Sequence, residues 1–295
     1  MRVDVLPDGT AVDIAVYEHG NPKGIPALFL HGGPGDCANP QTPTLFDLET
    51  YHLIMFDQRG CGNSTPRNHL QKNNTQLLIA DIERIRHHVF GDQPVVLAGG
   101  SWGTALALLY AQQFPTNVSG LVLRSVFDLT PGRTEYAFYP ELLHQIQKIV
   151  GSKGTLVNNI HRSLIHKKKT RKKLVRLLGD PRPLFLHSKP AKKDSYKALE
   201  TMALLGAHYE KNNFFVPKNA IYKHLNKIKH IPVIIVQGRY DIVTPIAMAH
   251  KICRKLPLCD LRVVQAGHSS EEMVPELKQA YADMARIITS KAPKP

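Results

Sequence analysis

The chain has 295 residues, 43% of them hydrophobic, and a formal net charge of +14. This length allows one large α/β domain or a domain with an inserted subdomain, and the hydrophobic content excludes a disordered chain. No apolar run reaches the length of a bilayer span, and residues 1–9 lack the apolar core of a signal peptide, so we expect a cytoplasmic protein.

The positive charge is concentrated in one part of the chain. Residues 151–230 contain 19 Lys and Arg against 4 Asp and Glu, whereas the rest of the chain contains 19 against 20. The densest run, at 161–176, has eight Lys and Arg and no acid. Such a run fits acidic substrates, an anionic membrane surface, nucleic acid, or simply a solvated helix face. Because it lacks interleaved aromatic residues for base stacking, we expect no obligatory nucleic-acid or membrane partner.

The four cysteines are Cys37, Cys61, Cys253 and Cys259. None belongs to a Cys-x-x-Cys pair, so the spacing indicates neither a zinc site nor a disulfide framework. We therefore expect four free thiols in a reducing compartment.

Up to residue 127 the chain alternates predicted strands and helices. Alternating apolar residues around a Pro-Asp-Gly turn predict a hairpin over residues 3–17. Asn74 and Thr75 are candidate caps of a following helix. Short continuous apolar runs, typical of parallel strands buried on both faces, occur at 26–30, 51–56, 94–97 and 119–124. This order predicts a mostly parallel sheet with helices on both faces.

After residue 127 the pattern changes. Residues 128–230 contain no buried-strand run, and helical segments are predicted at 139–150, 156–178 and 196–209. Strands return at 231–238 and 261–265, and Thr244 and Pro245 predict the start of the helix between them. We therefore predict an α/β core formed by residues 1–127 and 231–295, with a basic helical cap inserted at 128–230.

A Gly-x-Ser-x-Gly motif at residues 99–103 stands between a predicted strand and a predicted helix. In that context it is typical of a nucleophile elbow, whose sharp turn needs small residues at Gly99 and Gly103 and pushes the serine above the sheet. The helix N-terminus behind Ser101 favours developing negative charge. Ser101 is therefore the candidate nucleophile, the alternative being an ordinary glycine-rich loop.

A serine nucleophile needs a general base, and the base needs a carboxylate to orient it. In the fold with this elbow, the acid and then the base follow the serine, each in a loop after a strand. Asp241 follows the 231–238 strand and His268 follows the 261–265 strand, so we predict Asp241 as the acid and His268 as the base. Asp57 and Asp128 also follow strands but fit this order less well.

The same chemistry needs two backbone N–H groups for the oxyanion. One is predicted to come from Trp102, directly after the nucleophile, and the other from the His-Gly-Gly-Pro-Gly loop at residues 31–35. We favour Gly33 as the second donor, with Gly32 as the alternative.

Several motifs, in this order, resemble the proline iminopeptidase (prolyl aminopeptidase) family of α/β hydrolases over about residues 25–128 and 228–270. They are His-Gly-Gly-Pro-Gly at 31–35, Asp-Gln-Arg-Gly-Cys-Gly-Asn-Ser at 57–64, Asp-Ile-Glu-Arg-Ile-Arg at 81–86, Gly-Gly-Ser-Trp-Gly at 99–103, Leu-Val-Leu-Arg-Ser-Val-Phe at 121–127 and Gln-Gly-Arg-Tyr-Asp at 237–241. The resemblance implies an α/β-hydrolase fold and removal of N-terminal proline from a small peptide, without metal or cofactor. It also supports Ser101, Asp241 and His268 as the catalytic triad.

The resemblance is weaker where the family's cap binds the substrate's free amino group through two glutamates. Gly206 stands at the position of one, and the Trp-x-x-Trp-Glu motif of the other is absent because Trp102 is the single tryptophan. Tyr209 still matches the family pattern, and Glu210 lies one helical turn after Gly206.

Three residues are therefore candidates for substrate binding: Gly32, Tyr209 and Glu210. Glu200 is a further candidate, and a solvated helix surface is the alternative interpretation for both glutamates. The divergent cap leaves two other functions open. One is an esterase or amidase for a substrate that has no free amine, such as an anionic one. The other is a non-catalytic binder of anionic surfaces on a hydrolase scaffold.

Overall fold

The computed structural model describes residues 1–130, 137–179 and 195–291. Within these ranges the strands are β1 (Arg2–Val5), β2 (Ala11–Asp13), β3 (Val16–Gly20), β4 (Ile25–Leu30), β5 (Tyr51–Phe56), β6 (Val95–Gly100), β7 (Val118–Arg124), β8 (Val233–Gly238) and β9 (Cys259–Val264). The helices there are α1 (Thr75–Phe90), α2 (Trp102–Gln113), α3 (Pro140–Val150), α4 (Leu156–His166), α5 (Lys168–Leu178), α6 (Tyr196–Lys211), α7 (Ala220–Lys223), α8 (Ile246–Cys253) and α9 (Val274–Lys291).

Seven of these strands form one sheet in the order β3-β5-β4-β6-β7-β8-β9. The edge strand β3 is antiparallel to β5, and every other neighbouring pair is parallel. The sheet is parallel because a helix or a longer segment connects successive strands and returns the chain to the same end. The carboxyl ends of β4, β6, β7, β8 and β9 therefore lie along one edge, where the predicted site residues follow them.

The predicted N-terminal hairpin is confirmed for its first part. β1 and β2 pair antiparallel in a small sheet of their own. The prediction extended the hairpin to residue 17, but from Val16 onward the chain pairs with β5 in the large sheet. Two backbone hydrogen bonds between Asp13 and Thr65 hold the chain where it passes from one sheet to the other.

Helices cover both faces of the large sheet, as predicted. On one face, α1, α2 and α8 pack against inward side chains such as Leu28, Leu97 and Ile235. On the other face, α9 packs through Leu277, Tyr281 and Met284 against the alternate residues of the same strands. The alternation of side chains along each strand thus supplies two separate hydrophobic layers.

The predicted cap contributes α3, α4, α5 and α6, which share a hydrophobic cluster of their own. The predicted helix at 156–178 is two helices, because Lys167 adopts φ −108° and ψ 73° between α4 and α5. Tyr209, Phe214 and Ile221 pack with the core layer on α1 and α2 rather than with the cap cluster. Residues 131–136, 180–194 and 292–295 lie outside the described residues, and the boundaries of the two predicted domains stay a prediction.

The prediction of four free thiols is wrong for two of the four cysteines. Cys253 and Cys259 form a disulfide with a Cα–Cα distance of 5.4 Å, whereas Cys37 and Cys61 are not disulfide-bonded, as expected. The pairing arises because α8 ends at Cys253 and β9 begins at Cys259, so a short turn brings the two within bridging distance. A spacing of six residues carries no recognised signature, so the sequence did not indicate the pair.

Among the described helices, none is both long and apolar enough to cross a bilayer.

Candidate active site

The turn between β6 and α2 carries Ser101 in the predicted elbow geometry. Ser101 has φ 55° and ψ −122°, a conformation that non-glycine residues seldom adopt. A Cβ atom on Gly103 would lie 2.1 Å from the Leu30 carbonyl oxygen, and one on Gly99 would lie 2.7 Å from the Gly103 carbonyl oxygen. The turn therefore closes only with glycine at both positions, and the surrounding sheet and helix hold the strained serine in place.

The structure brings together the three residues predicted as a triad. His268 Nε2 lies 3.1 Å from Ser101 Oγ, and His268 Nδ1 lies 2.9 Å from Asp241 Oδ2. The carboxylate accepts the Nδ1–H, which leaves Nε2 free to accept the serine proton. His268 and Asp241 are 7% and 4% exposed, so solvent competes little for these hydrogen bonds.

Asp241 is surrounded by donors that favour its charged form. The Thr244 N–H, the Thr244 hydroxyl and the Gln237 side-chain amide all donate to it. Burial is the largest single influence and would raise the pKa of Asp241, but His268 and the Thr244 donors together lower it. Asp241 is thus held as a carboxylate that orients the imidazole.

Thr244 has a different role from the one expected. The sequence predicted it as a helix N-cap, but α8 begins at Ile246, with Pro245 in the N-cap position. The Thr244 hydroxyl instead donates to Asp241 Oδ2 at 2.8 Å and lies 3.2 Å from His268 Nδ1. The prediction was wrong because the nearby carboxylate attracts this hydroxyl more strongly than the neutral helix end does.

The other two aspartates considered from the sequence do not contact His268. Asp57 accepts hydrogen bonds from the Tyr17 hydroxyl and from the backbone N–H of Ala38 and Asn63. Asp128 accepts one from the Tyr222 hydroxyl at 2.6 Å. The order of motifs along the chain therefore selected the aspartate that contacts the histidine.

The 31–35 loop lies against the serine. A Cβ atom on Gly32 would be 3.4 Å from Ser101 Cβ, so the loop passes directly beside Ser101 at this position. Trp102 is the first residue of α2, and its N–H has no acceptor within the helix. No hydrogen bond between described residues uses the N–H of Gly33 or of Trp102. Both groups are thus available to an oxyanion, and their assignment as its donors stays a prediction.

Sequence reasoning missed Gln58, which joins the two parts of this predicted oxyanion site. Its side-chain N–H donates to the His31 carbonyl at 2.9 Å, and its side-chain oxygen accepts the Trp102 indole N–H at 3.0 Å. Its backbone N–H donates to His31 Nε2 at 3.0 Å. Burial lowers the pKa of His31, which keeps the ring neutral and able to accept that bond. Gln58 lies in the 57–64 motif, but the motif itself gave no sign of these contacts.

Arg124 was also missed. It ends β7, and its guanidinium donates to the His268 carbonyl at 2.6 Å. Burial lowers the pKa of Arg124, and the charge of Asp241 opposes that effect. Arg124 therefore holds the loop that carries the histidine.

The predicted substrate-binding residues other than Gly32 lie on α6. Tyr209 is 1% exposed, with its ring 5.1 Å from that of Trp102 and its hydroxyl donating to Asn73. Tyr209 therefore packs edge to face with Trp102. Glu210 is partly exposed, and Glu200 lies 3.8 Å from Arg171 on α5. None of these three side chains has a hydrogen bond to Ser101 among the described contacts, so their role in substrate binding stays a prediction.

No group of three or more His, Cys, Asp or Glu side chains in the described part of the chain is arranged to hold a metal ion.

Comparison with known proteins identifies the family. A family model described as alpha/beta hydrolase fold matches residues 26–271. A proline iminopeptidase of Neisseria meningitidis serogroup B is 36% identical over 285 residues, which cover 90% of this chain and 91% of that protein. A proline iminopeptidase of Arabidopsis thaliana is 34% identical over 275 residues, covering 86% of this chain and 72% of that one. The chain belongs to the proline iminopeptidase family.

This membership confirms the resemblance, the α/β-hydrolase fold class and the prediction that the chain is a hydrolase. Neither alternative, an esterase or amidase for amine-free substrates or a non-catalytic binder, is favoured by it. Solved structures agree on the fold. A bromoperoxidase from Bacillus anthracis superposes with a TM-score of 0.69 at 17% identity, over 97% of this chain and all of that one. A thermophilic esterase from Thermogutta terrifontis gives 0.62 at 16% identity, over 98% of both chains. At such identities the likeness concerns the fold alone.

Proposed function

We propose that this chain is a serine aminopeptidase that removes an N-terminal proline, or a similar small residue, from a short peptide. The observation that carries the proposal is the hydrogen-bonded line from Ser101 Oγ through His268 to Asp241, with distances of 3.1 Å and 2.9 Å. It occurs in a chain of the proline iminopeptidase family, whose members named above supply the substrate class.

The first half of the reaction forms an acyl-enzyme. His268 Nε2 accepts the Ser101 proton while Oγ bonds to the carbonyl carbon and the carbonyl electron pair moves onto oxygen. The N–H groups of Trp102 and of Gly33, or Gly32, donate to this oxyanion. When the intermediate collapses, the C–N bond breaks and the leaving amine takes the proton from His268.

The second half releases the amino acid. A water molecule gives a proton to His268 Nε2 as its oxygen bonds to the ester carbon. Collapse then breaks the ester bond, and the proton returns to Ser101 Oγ. Asp241 accepts the His268 Nδ1–H throughout, which stabilises the positive imidazolium that forms in each half.

The test is hydrolysis of a prolyl arylamide by the wild type and by Ser101→Ala. We expect the wild type to be active and the variant to lose at least about 1000-fold in kcat, because without Oγ no acyl-enzyme forms. Ser290→Ala, at an exposed serine of α9, is the matched control and should keep full activity.

Labelling with a fluorophosphonate probe gives a second measurement, expected in the wild type and lost in Ser101→Ala. A wild type that is labelled and hydrolyses acetyl esters but not prolyl arylamides would contradict the substrate and leave the mechanism standing. An unlabelled wild type would contradict both.

A further inference from the structure

A carboxylate directly after the 31–35 loop lies beside the nucleophile. A Cβ atom placed on Gly32 would be 3.4 Å from Ser101 Cβ and 3.9 Å from Asp36 Oδ2. Ser101 and the Asp36 carboxylate therefore flank the same glycine. No role was predicted for Asp36 from the sequence, because it belongs to none of the motifs.

Asp36 makes no direct ion pair within the described residues, although the charge of the Arg124 guanidinium interacts with it electrostatically. Its Oδ1 accepts the Cys37 N–H at 2.9 Å, and no described residue donates to Oδ2. None of the ion pairs between described residues includes Asp36, although the side chain is exposed. Asp241, by contrast, is occupied by His268, and Glu200 by Arg171. Asp36 is thus a carboxylate with a free oxygen at the edge of the catalytic site.

The geometry suits one kind of substrate group. In an aminoacyl substrate the amino nitrogen lies two bonds, about 2.5 Å, from the scissile carbonyl carbon. A carboxylate that accepts a hydrogen bond from this ammonium must then lie within about 8 Å of the serine that attacks the carbon. The shared position beside Gly32 keeps Asp36 Oδ2 and Ser101 Cβ within that range.

We propose that Asp36 binds the ammonium group of the substrate and so selects acyl groups that carry an amine next to the scissile carbonyl. This inference rests on the proposed function, because an aminoacyl substrate is what brings such a group to Ser101. The attraction acts over a short distance at the edge of the catalytic site, through a charge-assisted hydrogen bond from the ammonium to Oδ2. Asp36 determines specificity and takes no part in proton transfer.

The first test compares binding of prolinamide with binding of cyclopentanecarboxamide, which has the same ring and amide but no ammonium. Isothermal calorimetry measures both ligands in the Ser101→Ala background, which cannot hydrolyse prolinamide, with Asp36 retained, with Asp36→Asn and with Asp92→Asn. Asp92 is an exposed aspartate after α1 and controls for the loss of one negative charge. We expect the Ser101→Ala protein and its Asp92→Asn form to prefer prolinamide by about tenfold, as one charge-assisted hydrogen bond gives. Asp36→Asn should bind the two ligands within about twofold of each other.

The second test is kinetic and separates specificity from folding. For a prolyl arylamide, Asp36→Asn should raise KM by about tenfold with little change in kcat, and Asp36→Glu should restore part of the affinity. Hydrolysis of 4-nitrophenyl acetate, which has no ammonium, should be unchanged in both variants. Equal losses on both substrates would mean a structural role and would overturn the proposal.

The two proposals fail separately. In the Ser101→Ala background, a protein with Asp36 that binds prolinamide no better than cyclopentanecarboxamide, or an Asp36→Asn form that keeps the preference, overturns the role of Asp36 whatever the turnover of the active enzyme. Asp36-dependent binding without Ser101-dependent hydrolysis of the arylamide overturns the proposed function and leaves Asp36 as an ammonium site.

Discussion

At the residue scale, Gln58 connects groups that come from three different elements. Its side-chain N–H donates a hydrogen bond to the His31 carbonyl, which follows β4, and its side-chain oxygen accepts one from the Trp102 indole at the start of α2. Gln58 itself lies in the segment after β5. Both N–H groups proposed to bind the oxyanion therefore belong to segments that this one side chain holds together. Such donors stabilise a transition state only when they are fixed before it forms.

The first prediction removes this connection through Gln58→Leu, which keeps the size of the side chain. We expect kcat on a prolyl arylamide to fall by about 10- to 100-fold with a smaller change in KM, because the loss concerns the oxyanion and not ground-state binding. Stability should fall by about 1–3 kcal/mol, since the indole N–H and the His31 carbonyl are left without a partner.

Steady-state kinetics and urea unfolding measure these two effects. Gln279→Leu, at an exposed glutamine of α9, is the matched control and should alter neither. A Gln58→Leu enzyme with unchanged kcat would mean that the loop and Trp102 keep their positions without the amide.

Residues of the site differ in how far the sequence reveals them. Ser101 is marked by a local pattern, because the glycines that allow its turn lie within two positions of it. Asp241 and His268 follow from the order of strands, although His268 is separated from the serine by 167 positions. Gln58, Arg124 and Asp36 were not predicted, because their partners are distant in sequence or are parts of the backbone. Nothing in the spacing of residues reports such contacts.

At the element scale, a buried ion pair joins the segment after β5 to α1. Arg59 Nε and Nη2 each lie 2.7 Å from an oxygen of Asp81, and both side chains are fully buried. Arg59 also donates to the Lys72 carbonyl at 2.5 Å. The segment that carries Asp57 and Gln58 is thus tied to the helix through one guanidinium.

The second prediction is that Asp81→Asn destabilises the fold by about 3–5 kcal/mol, because it leaves the buried Arg59 charge with only the longer contact to Asp4 at 3.4 Å. The double variant Arg59→Met with Asp81→Leu should lose less than the single one, since it removes both charges. Urea unfolding at pH 7 measures the two. Asp13→Asn, which breaks the exposed pair with Arg2, should have a much smaller effect. A single variant as stable as the wild type would contradict the importance of this pair.

Strands and helices were predicted best where the local pattern of apolar residues determines the secondary structure. The strands β4, β5, β6 and β8 are continuous apolar runs that match their fully or largely buried positions. The break at Lys167 was missed because the helical periodicity continues through it. The break lets α4 and α5 each pack apolar residues into the same cap cluster. The disulfide was missed for a similar reason, because it depends on the turn between α8 and β9.

At the scale of the whole molecule, the densest run of positive charge lies on the cap helices α4 and α5, and the neighbouring cap helix α6 contacts the loop beside Ser101. Within the basic run, Lys168, Lys169 and Lys172 are exposed on α5. Arg67 ties the core to α6 by donating to the Thr201 hydroxyl at 3.0 Å. A Cβ atom on Gly35, at the end of the loop that holds Gly32, would meet the Thr201 carbonyl at 2.7 Å, so cap and loop are in direct contact.

A positive field of this kind repels a substrate ammonium over a long range, whereas the proposed contact with Asp36 attracts it only over a short range. The two effects respond differently to salt. The Debye length shrinks from about 30 Å at 0.01 M to about 8 Å at 0.15 M ionic strength, so salt screens the distant lysines more than a contact pair.

The last prediction is therefore that kcat/KM for a prolyl arylamide rises by about two- to fivefold between 0.01 M and 0.15 M NaCl. The neutral ester 4-nitrophenyl acetate should show no such rise. In the triple variant Lys168→Gln, Lys169→Gln and Lys172→Gln, kcat/KM for the arylamide should be higher than that of the wild type at low salt. It should also rise less when salt is added, because the three substitutions have already removed part of the repulsion. A salt response equal for arylamide and ester, or unchanged by the three substitutions, would mean that the charge of the cap does not reach the substrate and serves another contact.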